Sequence, residues 1–118
     1  MVEGGAAAAG EHRWTVVDSA SGEVLGECGL VNKVVEGIGE RELIYYLFPN
    51  AWGRGLASEA AGCVLQFAEK ELGLVRLIAL VDPENEPSRR VAIKLGFRSR
   101  GVIPRANTTR ELFVRESA

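Results

Sequence analysis

The chain holds two cysteines, one histidine and one methionine in 118 residues, and that scarcity removes several classes of function at once. Cys28 sits in a strand-like run and Cys63 in a helix-like one, without the spacing of a metal site or a redox pair. Both read as small buried residues in a reducing cytoplasm, and no metal is expected. The lone His12 falls in the opening stretch MVEGGAAAAGEH, which has no basic n-region and only four consecutive alanines, where a secretory signal carries a longer apolar segment. Residues 1–12 are therefore expected to form a disordered lead-in, with His12 exposed and non-catalytic. No apolar run approaches the roughly 20 residues of a membrane-spanning helix, so a soluble, cytoplasmic protein is expected. A strong charge of either sign is also missing: the net charge is -2 and the pI about 5.5, which gives a nucleic acid nothing to bind.

Glycine is plentiful, with 14 residues, and most of them separate apolar runs, as tight turns between short elements do. The length suits one domain with one core, placed at residues 13–118. Arg13 to Val31 reads as two strands joined by the turn ASGE, and Asn32 to Arg41 as a loop. The run ELIYYLF, Glu42 to Phe48, has β-formers on both alternating faces and reads as a central strand covered on both sides, which Pro49 ends. Apolar residues at helical spacing follow from Leu56 to Leu72, stopped by Gly73, and VRLIALV, Val75 to Val81, is a second buried strand. Strand, helix and strand in that order make a βαβ unit with parallel strands. Asn85 to Gly96 reads as a short helix with Pro87 in its first turn, and FRSRGVI and TTRELFVRE as a closing strand pair around PRAN. The fold class is α/β, a mixed α+β sheet with two helices and antiparallel flanks.

The stretch YYLFPNAWGRGLASEAAG, Tyr45 to Gly62, carries the chemistry. Gly53, Arg54 and Gly55 occupy the places where Ser, Asp or Thr would cap the long helix, so its first N–H groups need another acceptor. Glycines let a ligand approach the backbone, and the helix dipole adds about half a positive charge at that end. A phosphate or pyrophosphate satisfies both; a plain glycine turn facing water, or a helix beginning a turn later under a Ser58 cap, satisfies the pattern as well. The arginine between the glycines favours an anion. GRGLAS lacks the GK[ST] ending of a Walker loop, and a dinucleotide fingerprint needs a third glycine where Ser58 stands, although Asp82 mimics its ribose-binding acid.

The loop LFPNAWGRGLASEA and the segment ELGLVRLIALVDPENEPSRRVAIKLGFRSRGV together resemble the GNAT N-acetyltransferases, in particular the ribosomal-protein alanine acetyltransferase type. The resemblance runs from about Trp14 to the C-terminus. It implies a GNAT-like fold with a central βαβ acyl-CoA-binding unit, lacking the usual first strand and helix pair. It also implies direct transfer of an acetyl group from acetyl-CoA, as cosubstrate, to a primary amine on a small molecule or a protein N-terminus. The family's glycine loop wraps the pyrophosphate, which would engage Gly53, Arg54, Gly55, Leu56 and Ala57, with Trp52 beside it as a packing anchor. The pantetheine arm would pair with Leu47 and Phe48 across a splayed strand pair, with Pro49 as the wedge.

By the same resemblance Asn85 would bind pantetheine. Ser88 would be the general acid toward the departing thiolate, and the Leu47 N–H the oxyanion donor. Capping of the second helix is the plainer role for Asn85 and Ser88. Glu42 matches the acidic residue that opens this strand in similar enzymes and would be the general base, against the plainer reading of a solvated strand-end charge. Tyr45 and Tyr46 alternate, so one packs inward and the other faces the acceptor groove. Lys94, Arg89 and Arg90 would reach a 3′-phosphate, or form an exposed basic face.

Relatives carry a further strand and two short helices before the hairpin that begins near Arg13. Their lack is expected to uncover apolar sheet surface, and a homodimer is expected to cover it. Two other functions fit the residues: a CoA-binding module without catalysis and, on Asp82, a nucleotide binder.

Overall fold

The computed structural model describes the backbone of residues 2–3 and the whole of residues 9–117. Seven strands form one mixed sheet: β1 (Val2–Glu3), β2 (His12–Val17), β3 (Val24–Val35), β4 (Ile38–Leu47), β5 (Arg76–Val81), β6 (Arg98–Arg105) and β7 (Thr108–Glu116). Their spatial order is β1-β2-β3-β4-β5-β7-β6. Helix α1 (Leu56–Lys70) links β4 to the parallel β5, and α2 (Glu86–Lys94) links β5 to β6. All other strand pairs are antiparallel. The expected βαβ unit with antiparallel flanks is thus the framework of the molecule. No helix among the described residues is long and apolar enough to cross a membrane.

Residues 32–41 do not form the expected loop. β3 and β4 stay in register from Gly26 and Leu47 down to Val35 and Ile38, turning through Glu36 and Gly37 at φ of 50° and 79°. Two successive positive φ values make a two-residue turn whose twist matches that of the flanking strands, so the charges of this segment ride on an extended hairpin. The lead-in also differs from expectation. Val2 and Glu3 pair with Thr15 and Trp14, and β2 already includes His12. Asn32 donates from its backbone N–H to Glu11 at 2.8 Å and from its side chain to the Ala9 carbonyl at 2.9 Å. His12 is half-buried and packs edge-on against Phe67, 5.0 Å between ring centres, so it is not an exposed tail residue.

Both helices pack on one face of the sheet. Ala60, Ala61, Val64, Leu65 and Ala68 of α1 and Ala92 of α2 join Leu30, Leu43, Leu47, Leu77, Ala79, Val81 and Phe113 in one core. This face explains the helical spacing read in α1. The opposite face holds a smaller cluster of Val35, Ile78, Leu112 and Val114, drawn from strands alone. β4 is central in the sheet, and its second face is covered at the buried Glu42 but opens toward its end: Tyr46 and, just past the strand, Phe48 are 59% and 41% exposed, ring against ring at 5.6 Å. Of the two cysteines expected to be buried, Cys28 is, and burial pushes its thiol up to about 11; Cys63 is exposed on α1. They form no disulfide.

Phe113 is fully buried where the sheet meets the helices. Phe113→Ala is expected to lower the unfolding free energy by about 3–5 kcal/mol, read from urea denaturation midpoints. Val102→Ala, at an exposed position, is expected to change it by less than about 0.5 kcal/mol.

Candidate functional site

The two parallel strands part almost as soon as they meet. Among the described residues β4 and β5 pair at Glu42 and Ile78 alone, although β4 runs on to Leu47 and β5 to Val81. Glu42 marks the parting. Its carboxylate is buried beside the backbone N–H of Leu80, a donor that a continuing parallel ladder would have used. Burial pushes the Glu42 carboxyl above the ordinary range, against the opposing pull of Lys33 at 3.6 Å, the Leu80 N–H and Arg105. Pro49 is not the wedge, because it opens a short 3-10 turn, Pro49–Ala51, well beyond the point of divergence.

Past Glu42 the edge of β4 lines an open cleft of about 650 Å³. The Phe48 N–H donates to the Leu25 carbonyl at 2.9 Å, on the β3 side. Backbone groups alternate along a strand, so the N–H groups of Tyr45 and Leu47 point the other way, into the cleft. Leu47 thus has its N–H on the cleft edge of β4, whereas the Phe48 N–H is already used and its ring lies on the open face. The Leu47 carbonyl accepts the Trp52 indole N–H at 2.8 Å. That bond, with no burial to speak of, holds Trp52, whose ring is 65% exposed; it is a polar tether and not a packing anchor.

Gly53 and Gly55 take φ of 75° and 73°, and Gly55 is the N-cap of α1 without a side-chain cap. A Ser58 cap is therefore not the way this helix begins. The glycine conformation is needed here, since a Cβ at either φ is strained. Among the described residues the N–H groups of residues 53–58 donate to no protein acceptor, while Glu59 N–H is the first to find one, the Gly55 carbonyl at 3.2 Å. Six unclaimed donors in and just before the first turn of a helix suit an anionic group bearing several oxygens. Arg54 does not add a free charge, because it pairs with Asp18 at 3.6 Å.

Across the cleft, Asn85 caps α2 by accepting the Ser88 N–H at 3.1 Å, the plainer of its two expected roles. Both residues still line the cleft, with Arg90 and Val91. Asp82, the mimic of a ribose-binding acid, is used in the turn before α2, where it accepts the Glu84 N–H at 2.9 Å. Arg89 turns away from the cleft, to Glu111 at 2.6 Å and Glu86 at 3.1 Å. Glu111 is buried and also accepts from Ser99 at 2.6 Å, and Arg89 and Ser99 hold its carboxyl below the usual range. Lys94 is exposed at the end of α2.

Alternation puts Tyr45 and Tyr46 on opposite faces; the fold adds what no local pattern shows, that the Tyr45 hydroxyl reaches Ser88. The phenol donates to the Ser88 carbonyl at 2.9 Å and accepts from Ser88 Oγ at 3.3 Å. Glu42 is not among the residues lining the cleft, so the structure gathers Leu47, Asn85, Ser88 and the glycine loop and leaves Glu42 at the closed end.

A family profile described as "Acetyltransferase (GNAT) domain" matches residues 3–98. The chain belongs to the GNAT acetyltransferase family. Its curated relatives include the uncharacterized protein YkkB of Bacillus subtilis, 35% identical over 88% of this chain and 60% of its own length. An uncharacterized N-acetyltransferase of Bacillus licheniformis is 35% identical over 78% of this chain and 51% of its own length. This GNAT chain thus spans about half to three-fifths of those relatives. Among solved structures, an acetyltransferase from Agrobacterium tumefaciens superposes with a TM-score of 0.78 at 26% identity, over 92% of this chain and 63% of that one. A ribosomal-protein alanine acetyltransferase from Vibrio fischeri, TM-score 0.79 at 22% identity over 90% of this chain and 61% of that one, shares the GNAT fold.

The raised Glu42 carboxyl has a consequence for stability. Its neutral form is favoured in the folded state, so its contribution is full below the unfolded carboxylate value of about 4.3 and is lost as pH rises through the higher folded value. Removing the titration with Glu42→Gln is therefore expected to shift the stability difference in favour of the variant as pH rises from 4 to 8. Urea midpoints of both proteins across that range check it; a difference that stays flat or shifts the other way contradicts it.

Proposed function

We propose that this chain is an acetyl-CoA-dependent N-acetyltransferase that passes an acetyl group directly to a primary amine, with donor and acceptor bound together. The observation that carries the reading is the row of backbone donors at residues 53–58 without a protein acceptor, at the mouth of the cleft between β4 and β5. Gly53, Arg54, Gly55, Leu56 and Ala57 would hold the diphosphate through their N–H groups, with the exposed ring of Trp52 alongside. The cleft-facing edge of β4 at Tyr45 and Leu47 is free to bond an extended, amide-bearing arm as a further strand would, with Asn85 on the opposite wall.

Acetyl-CoA supplies a thioester, whose carbonyl oxygen gains negative charge and whose sulfur leaves as a thiolate. The Leu47 N–H is fixed by the strand and aimed into the cleft, so it needs no reorganisation to stabilise that oxygen. Ser88 Oγ would donate a hydrogen bond to the departing sulfur and relay to it a proton released by the attacking amine, regaining one as it gives one, so that no serine alkoxide is left. An ammonium acceptor must lose a proton before it attacks. Glu42 has the raised basicity suited to that step, and its position at the closed end of the cleft requires a water between it and the amine. The acceptor is a small-molecule amine or a protein N-terminus, and the protein is cytoplasmic.

Acetyl-CoA and CoA at a hundredfold excess over Kd are expected to stabilise the fold by about 2.7 kcal/mol, seen as a rise in Tm, while NAD and ATP have no such effect. Gly55→Val, which puts a β-branched residue at a φ of 73°, is expected to abolish the rise. Stabilisation by NAD alone would sink the reading. Thiol release from acetyl-CoA with a panel of amines and N-terminal peptides then tests turnover. Binding without release on any acceptor supports a second reading, a CoA-binding module without catalysis.

The open face of the sheet, with Ile38, Tyr46 and Phe48 exposed, is the surface through which we propose that two copies associate. Light scattering at micromolar concentration is expected to give twice the mass of the 12.7 kDa chain, and a monodisperse monomer contradicts the proposal.

A further inference from the structure

We infer that Tyr45 is a positioning residue for acetyl transfer, a strut across the cleft that fixes the Ser88 hydroxyl relative to the Leu47 N–H. The inference rests on the acetyl-transfer reading above. Tyr45 and Leu47 lie two residues apart on β4, so their side chains share a face and their N–H groups share an edge. The Tyr45 ring spans from that strand to the first turn of α2, where its hydroxyl meets Ser88 twice. Beyond the Glu42 and Ile78 pair no ladder holds β4 to β5; the Tyr45 hydroxyl sets how far the wall that carries Ser88 stands from the edge that carries Leu47.

The phenol also decides where the Ser88 hydroxyl points. A serine in a helix ordinarily donates back to the carbonyl three or four residues earlier, here Asn85 or Glu84. The Tyr45 oxygen offers another acceptor, at 3.3 Å, and so draws Ser88 Oγ away from the helix axis and toward the cleft. At that length the bond is weak, and a developing thiolate competes for the same proton with ease. The phenol's own proton is committed to the Ser88 carbonyl at 2.9 Å. Burial, opposed by the Ser88 hydrogen bond and aided by Glu42, pushes Tyr45 above the ordinary range of a phenol, so it stays protonated at neutral pH and keeps its donor role. Tyr45 holds and aims; it gives up no proton in the reaction.

Tyr45→Phe keeps the ring and deletes both hydroxyl bonds. Steady-state thiol release, with the fastest acceptor found for the wild type, is measured for wild type, Tyr45→Phe, Ser88→Ala and the double variant, with urea midpoints confirming that each is folded. Tyr45→Phe is expected to lower kcat by about tenfold while the KM for acetyl-CoA stays within about twofold. In the Ser88→Ala background the same change is expected to cost less than about twofold, because the group it aims is gone. An unchanged kcat in Tyr45→Phe, or an equal loss with and without Ser88, overturns the inference and leaves the acetyl-transfer reading standing. A folded wild type that releases no thiol with any acceptor overturns both. Should Tyr45→Phe fail to fold, Tyr45→Leu, which also lacks the hydroxyl, takes its place in the same cycle.

Discussion

Two parallel strands that pair once and then separate are the constraint on which the site depends. A parallel ladder is ordinarily continued by evenly spaced bonds, and ending one inside a sheet leaves backbone donors and acceptors without partners. At the closed end the buried Glu42 carboxylate lies beside the Leu80 N–H. Further out, Tyr45 and Ser88 bridge the gap through side chain and backbone. What remains open among the described residues is the N-terminus of α1 and, apart from the Leu47 carbonyl that takes the Trp52 indole N–H, the cleft-facing edge of β4, and both are groups that a ligand with amides and phosphates could satisfy. The fold thus leaves its binding capacity where its own hydrogen bonding is incomplete.

The helix start follows from the same logic. A cap by Ser or Asp would have closed the N-terminus of α1 upon itself. Glycines at positive φ on either side of Arg54 turn the chain into the helix with its N–H groups outward. Arg54 meanwhile leans on Asp18 in the β2 to β3 turn, which ties the loop to the neighbouring hairpin. On the proposed reading the loop would hold an anion through backbone dipoles more than through a side-chain charge.

Much of this was legible in the sequence. The βαβ unit, the cap of α2 and the bare glycine loop at Gly53 and Gly55 follow from local patterns: a β-former run, helical spacing, glycine where a cap belongs. Leu47, Asn85 and Ser88 are singled out only by the family resemblance. The failures share a cause. The charged segment from Asn32 to Arg41 reads as a loop because its strand character comes from pairing and from a turn at Glu36 and Gly37, both of which are non-local or depend on backbone angles. Phe48, Cys63 and the open face of β4 depend on which face a neighbour covers, and periodicity gives alternation without saying what lies opposite. The reach of Tyr45 to Ser88 spans 43 positions, a separation at which no sequence pattern speaks.

The two tryptophans occupy contrasting places. Trp14 packs its ring edge-on against Phe67 at 5.0 Å, whereas Trp52 projects into water beside the cleft, tethered by its indole N–H. Their emission therefore divides into a sheltered, blue component and a solvated, red one. Anything that settles beside the glycine loop changes the red component and spares the blue, so the protein carries a built-in optical gauge of whether its cleft is filled.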